Sequence, residues 1–103
     1  MEMFRGMSYA FHPEAEAELV GAIAYYNECQ PGLGQDFAVE TYAVIERILA
    51  YPKAWPVLEE DVRRCQTSRF PYGVLYAIDG DLIFILTVMH LHREPEYWKH
   101  RHP

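Results

Sequence analysis

The last fourteen residues of the chain, HLHREPEYWKHRHP, contain four of its five histidines. Histidine changes protonation near neutral pH and also binds metal ions, whereas arginine and tyrosine can hold or protonate an anionic oxygen. Three interpretations therefore compete for this stretch. It is a metal site, the acid–base set of a nuclease, or the solvated end of a strand.

The metal site is the weakest of these interpretations. His90 and His92 fall on one face of a strand and could chelate one ion, with His100 and His102 completing four nitrogens. However, His102 is next to last in the chain, where ends fray, and no Asp, Glu or Cys ligand pattern accompanies the histidines. We therefore expect no metal and no cofactor.

The first half of the chain has two apolar stripes at helical spacing. The first, after Pro13 in a favourable first-turn position, consists of Leu19, Ala22, Ile23 and Tyr26. The second consists of Phe37, Thr41, Val44, Ile45 and Ile48. The turn signal PGLG at residues 31–34 separates them, and so short a connection predicts an antiparallel helical hairpin.

Patterns of period two surround this hairpin. The predicted strands are SYAFH before Pro13, residues 62–70, residues 72–78 and residues 81–91, with a hairpin turn at Asp79 and Gly80. The segment PKAWPVLEED, with two prolines and an acidic cluster, predicts a loop. The order β-α-α-β-β-β predicts an α+β fold, with the helical hairpin packed on one face of a small, mostly antiparallel four-stranded sheet. We predict a single domain at residues 8–103 after an N-terminal extension at residues 1–7.

Composition restricts the class of partner. The 103-residue chain has a formal net charge of −6, but this charge is unevenly distributed. Residues 1–60 contain ten acidic and three basic residues, whereas residues 61–103 contain five acidic and six basic residues. Any surface for an anion is therefore expected in the second half, although the whole molecule attracts polyanions poorly. No apolar run is long enough to span a bilayer and no secretory signal is present, which predicts a cytoplasmic protein without membrane contact. Cys29 and Cys65 are predicted to be buried thiols.

Five segments share a pattern with known proteins: HPEAEAELVGAIAYY, PGLG, PKAWPV, RFPYGVLY and the closing H-x-H-R-x-P-x-Y-W. In this order they resemble the RelE/ParE family of bacterial toxins from type II toxin–antitoxin modules, often labelled plasmid stabilisation proteins. The resemblance runs from about Tyr9 to Arg101. It implies a growth-inhibiting toxin that a cognate antitoxin neutralises, as a homodimer or as a toxin–antitoxin hetero-oligomer.

The resemblance implies one of two targets. One branch of the family binds DNA gyrase and needs no catalytic set. The other cuts ribosome-bound mRNA without a metal, using a base for the 2'-hydroxyl, an acid for the leaving 5'-oxygen and cations for the phosphate. The nucleases place lysines before the arginine that precedes the third strand, whereas the only lysines here are Lys53 and Lys99. This favours gyrase or another protein target over an mRNA endonuclease, and a non-toxic binding module or decayed toxin is a further alternative.

The candidate catalytic residues all lie in the second half of the chain. They are Arg64, Arg69, His90, His92, Arg93 and Tyr97. The resemblance implies that Arg93 and Tyr97 correspond to an arginine and a tyrosine near the end of the nucleases, and that Arg69 lies within a residue or so of another functional arginine. From the residues alone, solvated or ion-paired arginines are equally good interpretations, and Arg69 could pair with the acidic residues 59–61.

Candidates for binding the antitoxin are aromatic residues of the helical hairpin and of the loop that follows it. They are Tyr25, Tyr42, Tyr51 and Trp55. A wrapping helix or extended segment of a partner would bury such side chains. Ordinary, partly buried aromatic residues are the alternative for each of the four.

Overall fold

The structure is a computed structural model, and it describes residues 6–93 and 96–101. In chain order the elements are β1 (Ser8–Phe11), α1 (Pro13–Cys29), α2 (Leu33–Ala50), β2 (Val57–Glu59), β3 (Val62–Gln66), β4 (Tyr72–Asp79) and β5 (Leu82–His90). Residues 1–5 of the predicted extension and His102 lie outside the described residues. Met7, the last residue of that predicted extension, packs against the main core.

The five strands form one sheet in the order β1-β5-β4-β3-β2. β1 runs parallel to β5, and the other three pairs are antiparallel. The α+β class and the mostly antiparallel sheet are therefore confirmed. The predicted four strands become five because Val57–Glu59, in the segment predicted as a loop, pairs with β3. This strand has three residues, all exposed, so no alternation of buried and exposed side chains marks it in the sequence.

The two helices form the predicted hairpin. His12 opens α1, because its Nδ1 accepts the N–H of Glu14 at 3.1 Å, and Pro13 follows at the first helical position. At the start of α2 the N–H of Gly34 donates to Asn27 Oδ1 at 2.9 Å. A Cβ at Gly34 would collide with the carbonyl oxygen of Ile23, so only glycine permits this close approach of the helices.

The main core lies between the hairpin and the sheet. The stripe predicted for α2 is confirmed, since Phe37, Thr41, Val44, Ile45 and Ile48 are all buried. From the sheet they meet Cys65, Val74, Tyr76, Ile83, Ile85 and Val88. The Tyr76 hydroxyl donates to the carbonyl oxygen of Pro52 at 2.6 Å, which ties the loop after α2 to the sheet.

The face of the sheet away from the helices, here called the open face, has a second apolar cluster. Its buried members are Val62, Leu75, Ala77, Leu86, Met89 and Trp98. The β4–β5 pairing shifts register between Leu75 and Tyr76, which pair with Thr87 and Ile85 and leave Leu86 as the extra residue of a bulge. Both faces of β4 and β5 are thus covered by apolar side chains.

The cysteines differ in burial. Cys65 is buried as predicted, and burial raises the pKa of its thiol. Cys29 is exposed, so its predicted burial is wrong; it is the last residue of α1, where the helix leaves the core. Within residues 6–93 and 96–101, no helix is long and apolar enough to cross a membrane.

Candidate functional site at the end of the chain

The chain turns back after β5 and covers part of the open face. Residues 96–101, which we call the return segment, form a series of turns. Trp98 in this segment is 5% exposed and packs into the second cluster. Burying a large aromatic side chain stabilises a fold by roughly 1.5–3 kcal/mol, so Trp98 is the main apolar anchor of the return segment.

Arg101 fastens the end of the return segment to α1 and β5. Its Nη1 donates to Glu18 Oε1 at 3.0 Å and to the Leu86 carbonyl oxygen at 2.9 Å, and its Nη2 lies 3.0 Å from Glu14 Oε1. Glu18 Oε1 also accepts the N–H of Val88 at 3.2 Å. β1 pairs only with residues 82–85 of β5, so Arg101 and Glu18 bond to backbone groups of β5 that have no strand partner among the described residues.

Glu14 and His100 extend this contact toward solvent. His100 Nε2 lies 3.6 Å from Glu14 Oε1, and both side chains are more than half exposed. Desolvation raises the pKa of Glu14, but the charge of Arg101 and the contact with His100 outweigh it and hold the pKa below its ordinary value of 4.5. His100 therefore lies beside the ion pair between Glu14 and Arg101.

The hydroxyl of Tyr97 is engaged inside the same network. Thr87 Oγ1 donates its one proton to Glu18 Oε1 at 2.7 Å, so the Tyr97 hydroxyl, 2.6 Å from Thr87 Oγ1, is the donor in their hydrogen bond. The guanidinium carbons of Arg93 and Arg101 lie 4.0 and 4.9 Å from the centroid of the tyrosine ring. Desolvation by burial raises the pKa of Tyr97. In this arrangement the phenol holds its proton at neutral pH.

His90 and His92 lie together where β5 ends. Their ring centroids are 5.3 Å apart, and His90 Nδ1 accepts the N–H of His92 at 3.1 Å. The His90 ring is also 5.3 Å from that of Tyr72, which packs against the main core. His90 is therefore on the helix side of the sheet, whereas His92 and Arg93 are exposed in the turn that follows.

Two of the candidate arginines, Arg64 in β3 and Arg69 in the loop that follows it, lie on opposite sides of the sheet. Arg64 lies beside Gly73 on the open face, where a Cβ added to Gly73 would come within 3.2 Å of Arg64 Cδ. Arg69 lies on the helix side, because its N–H donates to Glu40 Oε2 at 3.1 Å and its Nη1 is 3.6 Å from Asp36 Oδ2. Its ionic partner is thus Asp36 of α2, and pairing with the acidic residues 59–61 is wrong.

The predicted cluster is therefore brought together only in part. Arg64 and Tyr97 belong to the open face, Arg69 and His90 to the helix side, and Arg93 stacks on Tyr97. The prediction did not include Glu18, Thr87 and Arg101, the three residues that organise this end of the molecule. Glu14 and Glu18, spaced i and i+4 on α1, lie on one face of the helix, but no local sequence pattern links them to Arg101.

The four antitoxin candidates occupy different parts of the surface. Tyr25, Tyr42 and Tyr51 are 60%, 41% and 68% exposed, whereas Trp55 is half-buried against the main core. Tyr42 also contacts the ring of Phe11 at a centroid distance of 6.4 Å. Of the four, Tyr42 lies in a shallow, widely open surface region of α2, which we call the α2 depression.

The α2 depression is shallow and mainly apolar. It has a volume of about 450 Å³ and is lined by Ala38, Val39, Tyr42, Ala43 and Glu46. Val39 is 71% exposed, an unusual position for a branched apolar side chain on a helix. Exposed apolar side chains grouped in this way are typical of a surface that binds another protein.

Possible metal ligands are not grouped in the described part of the chain. No set of three or more His, Cys, Asp or Glu side chains there lies close enough to hold one ion. His90 and His92 remain a pair of neighbouring rings.

Comparison with known proteins gives a match to a toxin family and matches to chains of solved structures, one of which is described below. Residues 9–95 match the family described as the ParE toxin of the type II toxin–antitoxin system, parDE. The fold is similar to a chain in the solved structure titled "Chromosomal ParDE TA system from P. aeruginosa", with a TM-score of 0.72 and 18% sequence identity, over 82% of this chain and 95% of that one. No similar protein was found among curated proteins.

Proposed function

The chain belongs to the family of ParE toxins of type II toxin–antitoxin systems, and from this premise we propose that it is a growth-inhibiting toxin neutralised by a cognate antitoxin. In this proposal its target is DNA gyrase or another protein. The toxin acts by occupying a surface of that target, and it needs no chemistry of its own.

The placement of the predicted nuclease residues is the observation that favours a protein target. Phosphodiester cleavage needs its acid, base and cations around one phosphate. Here Arg69 and His90 are on the helix side, Arg64 is on the open face, and the Tyr97 hydroxyl already donates to Thr87. A binding function is unaffected by this separation.

Inducible expression in bacteria, with and without the neighbouring gene, tests the proposal. We expect growth arrest from the toxin alone and normal growth when both genes are expressed. The purified protein should inhibit supercoiling by gyrase, and DNA damage signalling should rise while transcripts stay intact. If expression causes no growth defect in any host tried, the result would contradict the toxin proposal and favour a decayed toxin or a non-toxic binding module.

Two variants separate a protein target from mRNA cleavage. Arg93→Ala and Tyr97→Phe remove the two residues that correspond best to a nuclease. A toxin that binds a protein through another surface should keep its activity in Tyr97→Phe, with little loss in Arg93→Ala. Transcripts cut at ribosomes by the wild type, and left intact in both variants, would establish the endonuclease instead.

The α2 depression is the surface that we assign to the antitoxin in this proposal. Val39→Glu places a charge in its centre and should weaken antitoxin binding at least about tenfold, because an unpaired charge would be buried in the interface. Val57→Glu is the matched control, since Val57 is 48% exposed on the edge strand β2. Equal effects of the two substitutions, measured by calorimetry, would argue against this assignment.

A further inference from the structure

The open face contains a groove beside the return segment. Its volume is about 510 Å³, and it lies between the β2–β3 turn, the end of β4 and the return segment. Its apolar part is formed by Val62, Leu86 and Trp98, which belong to the second cluster. The groove is on the other side of the sheet from the helical hairpin and so is distinct from the α2 depression.

The rim of the groove is acidic. Glu60, Asp61 and Asp79 line it and are exposed, and none of them forms an ion pair within residues 6–93 and 96–101. Glu59 is the exception, because Lys99 of the return segment lies 2.6 Å from its Oε2. An apolar floor below several free carboxylates is complementary to an apolar side chain with cationic neighbours.

The one arginine that lines the groove does not oppose a cationic ligand. Arg101 is 5% exposed, and its guanidinium is paired with Glu14 and Glu18, so its charge is compensated inside the protein.

We propose that this groove, here called the acidic groove, binds an extended segment of the cognate antitoxin in which an apolar residue is flanked by lysine or arginine. The inference rests on the proposed function, since it requires an antitoxin. The apolar side chain packs on Trp98, and a flanking cation approaches Asp61 and Asp79. A partner held at both the α2 depression and the acidic groove has to pass around the edge of the sheet.

Lys99 regulates access in this arrangement. Its ammonium group forms ion pairs with Glu59 on the rim of the groove, at 2.6 Å, and with Glu96, at 3.3 Å. These pairs neutralise part of the acidic surface. Hydrogen bonding to Glu59 raises the pKa of Lys99, which keeps the group charged at neutral pH. Lys99→Ala is therefore expected to tighten antitoxin binding by about two- to fivefold at low salt.

The test compares charge reversals inside and outside the acidic groove. Asp61→Lys and Asp79→Lys should each weaken binding of the full-length antitoxin from the neighbouring gene by about tenfold, with a larger effect at low salt. Glu28→Lys, at an exposed site on α1, makes the same change in net charge and should alter the Kd by less than about twofold. Thermal unfolding of each variant alone checks that the fold is unchanged.

Charge reversal on the antitoxin then identifies the segment. Replacing its lysines and arginines one at a time by glutamate should reveal a position whose change restores binding to Asp61→Lys. If Asp61→Lys and Asp79→Lys bind like the wild type while the antitoxin still neutralises growth arrest, the groove proposal fails and the proposed function stands. A Glu28→Lys effect as large as theirs would also overturn it, and absence of any complex with wild-type toxin would overturn both.

Discussion

At the residue scale, Arg101 is unusual because it is buried, whereas a charged residue near the end of a chain is ordinarily exposed to solvent. It lies near the C-terminus, yet it is 5% exposed and bonds to Glu14, Glu18 and the Leu86 carbonyl oxygen. A guanidinium can serve three such acceptors at once because its donors have a fixed planar geometry. Lysine at this position would satisfy fewer of them.

Removing this guanidinium should destabilise the fold strongly. Arg101→Met leaves Glu18 without its cationic partner in a site that is largely buried, and losses of this kind cost about 3 kcal/mol. Lys99→Met is the control, because the pair of Lys99 with Glu59 is exposed and should contribute little to stability. Urea unfolding followed by circular dichroism measures both variants. Similar midpoints for the two would mean that Arg101 has no special role.

At the scale of elements, the return segment covers part of the sheet's open face. β1 covers only the first part of one edge of β5, and the open face would expose the second cluster without Trp98. One short segment therefore covers an apolar surface and, through Arg101, satisfies the Leu86 carbonyl oxygen at this strand edge, and exposed edges and apolar surfaces both promote association of chains.

Trp98→Ala tests this role of the return segment. The substitution should lower the free energy of unfolding by about 3–5 kcal/mol and increase binding of a dye that detects apolar surface. Trp55→Ala is a suitable comparison, because Trp55 is only half-buried and lies against the main core. Its effect on stability should be smaller, and it should not expose the open face. Unchanged dye binding by Trp98→Ala would mean that the segment does not shield the cluster.

Local sequence patterns predicted the regular elements well. The buried stripe of α2 has a strict helical period, and the predicted hairpin joins two clear strands. Its turn lies one residue later than predicted, at Gly80 and Asp81, because Asp79 pairs with Leu82, and Gly80 has a φ of 62°. β2 was missed because three exposed residues have no period. The return segment was missed for another reason, since Arg101 meets Glu18 across 83 positions of sequence and no local pattern contains such a contact.

The candidate site was predicted less completely than the fold for the same reason. The family resemblance directed attention to Arg93 and Tyr97, which stack on each other with the guanidinium carbon 4.0 Å from the ring centroid, and their role in the function stays a prediction. Whether two residues share a surface depends on tertiary structure, as the separation of Arg64 and Arg69 by the sheet shows. The order of helices and strands is therefore readable from local patterns, whereas the grouping of side chains at a site depends on contacts between distant parts of the chain.

At the scale of the whole molecule, charge separates the two classes of target. The net charge is −6, and the basic second half uses Arg101, Lys99 and Arg69 in ion pairs with carboxylates. Binding of nucleic acid depends on cations that are free to replace the counterions of phosphates. Within the described residues, three of the six cations of this half are engaged in this way, whereas binding to a protein surface does not depend on free cations.

The chain is therefore expected to bind RNA weakly. Non-specific binding by nucleic-acid proteins has a Kd of roughly 10⁻⁴ to 10⁻⁶ M at physiological salt, and we expect a Kd weaker than about 10⁻⁴ M for a single-stranded RNA. Fluorescence anisotropy at several salt concentrations measures it, with Arg64→Ala plus Arg93→Ala as the variant that removes two cations left exposed or half-buried. If the wild type binds more tightly than about 10⁻⁵ M, and the double variant loses both affinity and part of the salt slope, these two arginines contact phosphate and the protein-target assignment is wrong.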